Sequence, residues 1–105
     1  LDPSVVGAAS LLVAAGAADA FVPGPVIQLS EEGRLLGIPR LSARRVERAA
    51  ERLGTSPDRV LAVVHCIDAD RPRTPEAACV QQAVALDAAV STALAQAAGR
   101  VPEAQ

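Results

Sequence analysis

Arg40-Leu-Ser-Ala-Arg-Arg-Val-Glu-Arg-Ala-Ala-Glu-Arg-Leu-Gly-Thr-Ser-Pro-Asp-Arg-Val-Leu-Ala-Val-Val-His-Cys-Ile67 has the outline of two helices joined through a glycine turn. Val46, Ala49, Ala50 and Leu53 recur at helical spacing, so the first helix, about 42–53, is amphipathic. Gly54 stands where a helix C-cap favours glycine. The second helix, about 57–68, carries Val60, Leu61, Val63, Val64 and Ile67, with Ala62 and Cys66 on its remaining sides. A helix apolar nearly all round is buried by several neighbours, at the centre of a fold or of an interface.

Three helix starts share one device. Asp2-Pro3, Ser56-Pro57-Asp58 and Thr74-Pro75-Glu76 each place a capping oxygen before a proline in the first turn. Proline there loses no hydrogen bond and arrives with its φ already set. Helices are therefore predicted from Pro3, Pro57 and Pro75. The first is expected over about 3–20 and the last over about 75–98, with 97–105 a frayed tail. Phe21-Val-Pro-Gly-Pro25 stops the first helix. Val26–Leu29 reads as an extended connector or an isolated strand. Ser30 caps a short helix over 31–36, and Gly37-Ile38-Pro39 breaks it. The fold class is all-α: one domain over 1–105, bundle-like, with four main helices and one short one. The expected core is Val46, Leu53, Val60, Val63, Val64, Ile67, Val80 and Val84.

Composition narrows the chemistry. Phe21 is the only aromatic residue, and Met, Trp and Tyr are absent, so the core must be built from Ala, Val and Leu. Each such side chain buries little area, at roughly 25 cal/mol per Å². A core of this kind in a chain of 105 residues leaves a narrow margin over conformational entropy. All ten basic residues are Arg, which together with the alanine content reads as the imprint of GC-rich bacterial coding. The net charge of −2 argues against general polyanion binding. Residues 34–59 are locally basic, however, with seven Arg against three acids.

Candidate chemical sites are few. Cys66 and Cys79 are thirteen residues apart with one His in the chain, which excludes a local zinc site. Both are expected to be reduced and buried, in a cytoplasmic protein. Residues 5–18 form an apolar run without a basic leader and shorter than a bilayer span, so a buried helix is expected and no membrane association. A chain starting at Leu1 suggests an excised domain. Cys66 neighbours His65 in sequence but points elsewhere on the helix, and Cys79 or Asp87 could reach His65 only through the fold. Asp68 and Asp70 lack the further oxygens of a calcium loop. No catalytic residue, cofactor or metal is expected.

Two functional readings remain, with an accessory subunit lining an apolar ligand pocket a distant third. The first is a non-catalytic interaction or oligomerisation module, adaptor-like, partnered by a second copy or a larger protein. Its contact residues would be the small-residue stripe Ser10, Ala14 and Ala18 together with Leu61 and His65. The alternative is a helix-turn-helix regulator holding DNA phosphates with Arg44, Arg45, Arg48, Arg52 and Arg59. DNA is disfavoured, because the groove-facing set would be Ser56, Pro57, Asp58, Leu61, Ala62 and His65. That set lacks the Arg, Lys, Asn and Gln that read base edges. The basic row Arg44, Arg48 and Arg52 also fits a solvated face, with Glu47 and Glu51 as i,i+3 partners.

Overall fold

The computed structural model describes residues 1–99. The chain is all-α apart from one minimal hairpin. In order it forms α1 (Pro3–Leu12), α2 (Ala17–Ala20), β1 (Phe21–Val22), β2 (Gln28–Leu29), α3 (Glu31–Leu53), α4 (Pro57–Asp68) and α5 (Pro75–Ala97). The three proline-marked starts are where the sequence puts them. Asp2 Oδ1 accepts the Ser4 N–H at 2.9 Å, and Thr74 Oγ1 accepts that of Ala77 at 3.1 Å. Ser56 is the exception, since its hydroxyl makes no capping bond to α4.

The expected single helix over 3–20 is two helices. α1 stops at Leu12, turns occupy 13–16, and α2 restarts at Ala17. The cause lies in α3. The buried Ser42 hydroxyl donates to the Val13 carbonyl at 2.9 Å and accepts the Gly16 N–H at 2.8 Å. One side chain thus replaces helical partners on both sides of the break. The approach requires glycine: a Cβ on Gly16 would lie 2.3 Å from the Ser42 nitrogen and 2.6 Å from the Leu41 carbonyl carbon. The connector at 26–29 resolves as β2, which pairs antiparallel with β1 in the register Phe21 to Leu29 and Val22 to Gln28.

The short helix expected over 31–36 and the longer one over 42–53 are the two arms of α3. Gly37, at φ 78° and ψ 163°, kinks between them, and helical structure resumes ahead of residue 42 with Pro39 in its first turn. Ser30 caps the first arm, accepting the Gly33 N–H at 2.9 Å and donating to the Asp19 carbonyl at 2.6 Å. At the other end Gly54 takes the left-handed conformation, and its N–H closes on the last turn of α3.

The core is smaller than expected and is not centred on the valines of α4. Val5 and Ala9 of α1, Cys66 and Ile67 of α4, and Ala77 and Val80 of α5 form the buried cluster. Leu41, Ser42 and Ala43 are buried on the α3 side, and Ala20 on α2. Val46, Val60, Val63 and Val64 are only half-buried, Val84 is exposed, and Leu53 is 81% exposed. Cys66 and Cys79 are both free thiols, but only Cys66 is buried. Beyond Gln81 no residue of α5 is buried. This helix projects from the body, and the radius of gyration is 15.7 Å, against about 13 Å for a compact chain of this length.

Two outcomes follow from this packing. Ser42→Ala should cost about 2–3 kcal/mol in urea unfolding, because it strands the buried Gly16 N–H and leaves the half-buried Val13 carbonyl without its partner. Gly16→Ala should cost more, because backbone has to move. The thiols should separate by reactivity. Cys79 should be alkylated in the native protein, whereas Cys66, whose thiol pKa is pushed up by burial and by the nearby Glu76, should react only as the chain unfolds. Counting modified thiols by mass, with and without denaturant, checks this.

Candidate interaction groove

α4 is the shared support of the molecule. α1, α3 and α5 all pack against it, while α1 and α3 scarcely touch one another. The gap between α1 and α3 is a groove of about 880 Å³ floored by α4. Ala8 and Leu12 line it from α1, Val46, Ala49 and Leu53 from α3, and Val60 and Val63 from α4. Those from α3 and α4 are residues whose periodicity marked them for the core. They face one another, but among the described residues no fourth element covers them.

The lining is also basic. Arg48, Arg52 and Arg59 line the groove together with Glu51, and none of the three has an ion-pair partner among the described residues. The other two arginines of the expected phosphate-contacting set are engaged within the chain. Arg44 bonds Glu32 at 3.0 Å, not the neighbouring Glu47. Arg45 makes a two-pronged bond to Asp19 at 2.7 and 2.9 Å, tying α3 to α2. Arg45 also borders the groove, but its guanidinium is taken up by Asp19, so Arg48, Arg52 and Arg59 are the groove arginines left without an ion pair among the described residues.

The other expected contact residues do not form one surface. Ser10, Ala14 and Ala18 are exposed, but they fall on α1, on the turn and on α2, so the stripe is broken with the helix that was to carry it. Leu61 is 69% exposed and borders a shallower depression between α3 and α4, with Ala50 and Val64. His65 is half-buried, and its Nε2 accepts the Arg73 N–H at 2.9 Å. Together with Gln81, whose amide donates to the Ala69 carbonyl at 2.9 Å, it fastens the α4–α5 loop. Missed by the sequence reading were the groove itself and the outer half of α5. Leu86 and Leu94 are each 65% exposed there, and Val84 and Val90 are exposed beside them. Their apolar spacing was legible; the lack of a cover was not.

Two stretches, Pro3–Ala20 and Pro75–Ala97, are long and apolar enough to cross a membrane by length and composition alone, a test that soluble core helices also pass. The first is broken at 13–16. The second has Asp87 near its midpoint, where a carboxylate costs about 2.5–3.5 kcal/mol in a bilayer. Among the described residues no cluster of His, Cys, Asp and Glu could hold a metal ion. No protein-family model, curated protein or solved structure matches the chain.

The Asp19–Arg45 link carries a pH signature. The Arg45 hydrogen bond holds the Asp19 carboxyl below its ordinary pKa of 3.8. A carboxylate with a depressed folded pKa stabilises fully above its ordinary value, and that contribution is lost as pH falls through the lower folded one. Asp19→Asn should flatten this acid limb of the stability profile. Thermal melts from about pH 6 down to about pH 2 would register the change.

Proposed function

We propose that this domain is a non-catalytic interaction module that works by self-association through helix–helix contact. The open groove between α1 and α3 carries the reading. It leaves Leu12, Leu53 and half-buried valines against solvent in a chain whose core has no large side chain to spare. Exposed apolar patches beyond a few hundred Å² mark contact surfaces in soluble proteins. The projecting half of α5 adds a second uncovered apolar surface. A catalytic role has little support. The one histidine accepts a backbone N–H, and Cys66 beside it in sequence is buried with a raised thiol pKa.

A second reading is favoured by one observation, the three groove arginines without an ion-pair partner among the described residues. A helix-turn-helix regulator would set Arg48, Arg52 and Arg59 on phosphates, with α4 as the recognition helix. Against it, α4 is supported on three sides and offers solvent Asp58 and Leu61, while Arg44 and Arg45 are already engaged.

Sedimentation across a concentration series separates the two. Self-association predicts a mass rising from 10.7 kDa toward twice that value. The regulator predicts binding to duplex DNA that falls steeply with salt and is lost in Arg48→Ala/Arg52→Ala/Arg59→Ala. A chain that stays monomeric and shows that binding would replace the first reading with the second.

A further inference from the structure

We infer that the groove between α1 and α3 receives the outer half of α5 from a second copy of the chain, with Asp87 of the incoming helix set against Arg48, Arg52 and Arg59. The inference rests on the self-association reading and names its contact. Two helices lying on a third, and scarcely on each other, leave the fourth place of a bundle open. Among the described residues no helix is left to fill it. α5 is fixed to α1 and α4 by Ala77 and Val80 at its base. No residue of α5 lines the groove of its own chain, and beyond Gln81 none is buried, whereas a neighbouring copy's helix can enter.

Length and charge both match. α1 has ten residues and is about 15 Å long. The exposed stretch from Val84 to Leu94 is also about 15 Å at 1.5 Å per residue. Val84, Asp87, Val90 and Leu94 lie on one side of α5 by helical spacing. An apolar stripe docked through this side must therefore take the carboxylate in with it. Asp87 is the only charged residue of α5 after Glu76. A wholly apolar groove would leave it desolvated and unpaired. This groove instead offers three guanidinium groups with no partner among the described residues. Insertion is reciprocal in a two-fold dimer, so each pair of copies makes the contact twice.

The test is a charge exchange in the full chain. Asp87→Arg alone and Arg48→Glu/Arg52→Glu alone should each weaken dimerisation roughly tenfold or more in sedimentation equilibrium. Mixed in equal amounts, the two variants should form a heterodimer close to wild-type affinity. One of its sites keeps the natural charges and the other carries them reversed. Val84→Gln/Val90→Gln/Leu94→Gln alters only exposed positions, so it should keep the wild-type circular dichroism while sedimenting as a monomer. A wild-type dimer that all these variants form equally well would overturn this contact and leave self-association standing on another face, such as the hairpin around Val26 and Ile27. Failure of the mixture to recover would overturn the Asp87–Arg pairing. A wild-type chain that is monomeric at every concentration would overturn both this inference and the self-association beneath it. Flotation of such a monomer with phospholipid vesicles would assign α5 to a bilayer instead.

Discussion

The Ser42 hydroxyl is the constraint on which the arrangement of the N-terminal half depends. It takes over the hydrogen bonds of Val13 and Gly16 at 2.9 and 2.8 Å from a position that is itself fully buried. A single apolar segment is thereby divided between two supports. α1 goes to α4 and α5, and α2 goes to α3. Gly33 repeats the device one step further on, since a Cβ there would lie 2.3 Å from the Ala20 carbonyl oxygen. Backbones approach where side chains are smallest, and the bonds between them replace the large apolar anchors this chain lacks. Among the described residues no buried side-chain polar atom is without a partner, so these contacts are made without stranding a donor or acceptor.

That economy explains the shape. Ala, Val and Leu close a cluster around Val5, Cys66, Ile67 and Val80, but the chain has too little bulk to enclose α4 on every side. Alanine at the contact positions of α5 gives close packing at its base and little adhesion along its length. The helix leaves the body after Gln81 still intact, because helical hydrogen bonds are satisfied internally and alanine favours the conformation. The molecule thus presents both a groove without a helix and a helix without a groove.

Charge placement bears on function more than charge total. The net of −2 says little, and the seven Arg between 34 and 59 do not act together. Arg45 holds α3 to α2 through Asp19, and Arg44 links the two arms of α3 through Glu32, so their guanidinium groups belong to the fold. Arg48, Arg52 and Arg59 stand beside apolar side chains, where an incoming carboxylate would be partly desolvated. A surface ion pair is worth little, while a pair on the edge of an apolar groove gains from the lower local dielectric and fixes register.

Local chemistry was readable from the residues alone. The starts of α1, α4 and α5 follow from Asp2-Pro3, Ser56-Pro57 and Thr74-Pro75, and the end of α3 from Gly54, because caps act within one turn. The break at Gly37-Ile38-Pro39 and the all-α class were legible for the same reason. What only the tertiary structure decided was which apolar faces meet. Val46, Ala49 and Leu53 carry the period of a core face whether or not anything covers them, so periodicity marked Leu53 as buried when it is exposed. The division of the first helix was equally hidden. Its cause is a hydroxyl twenty-six residues away from Gly16, and nothing in the segment from Pro3 to Ala20 signals that Ser42 will reach it.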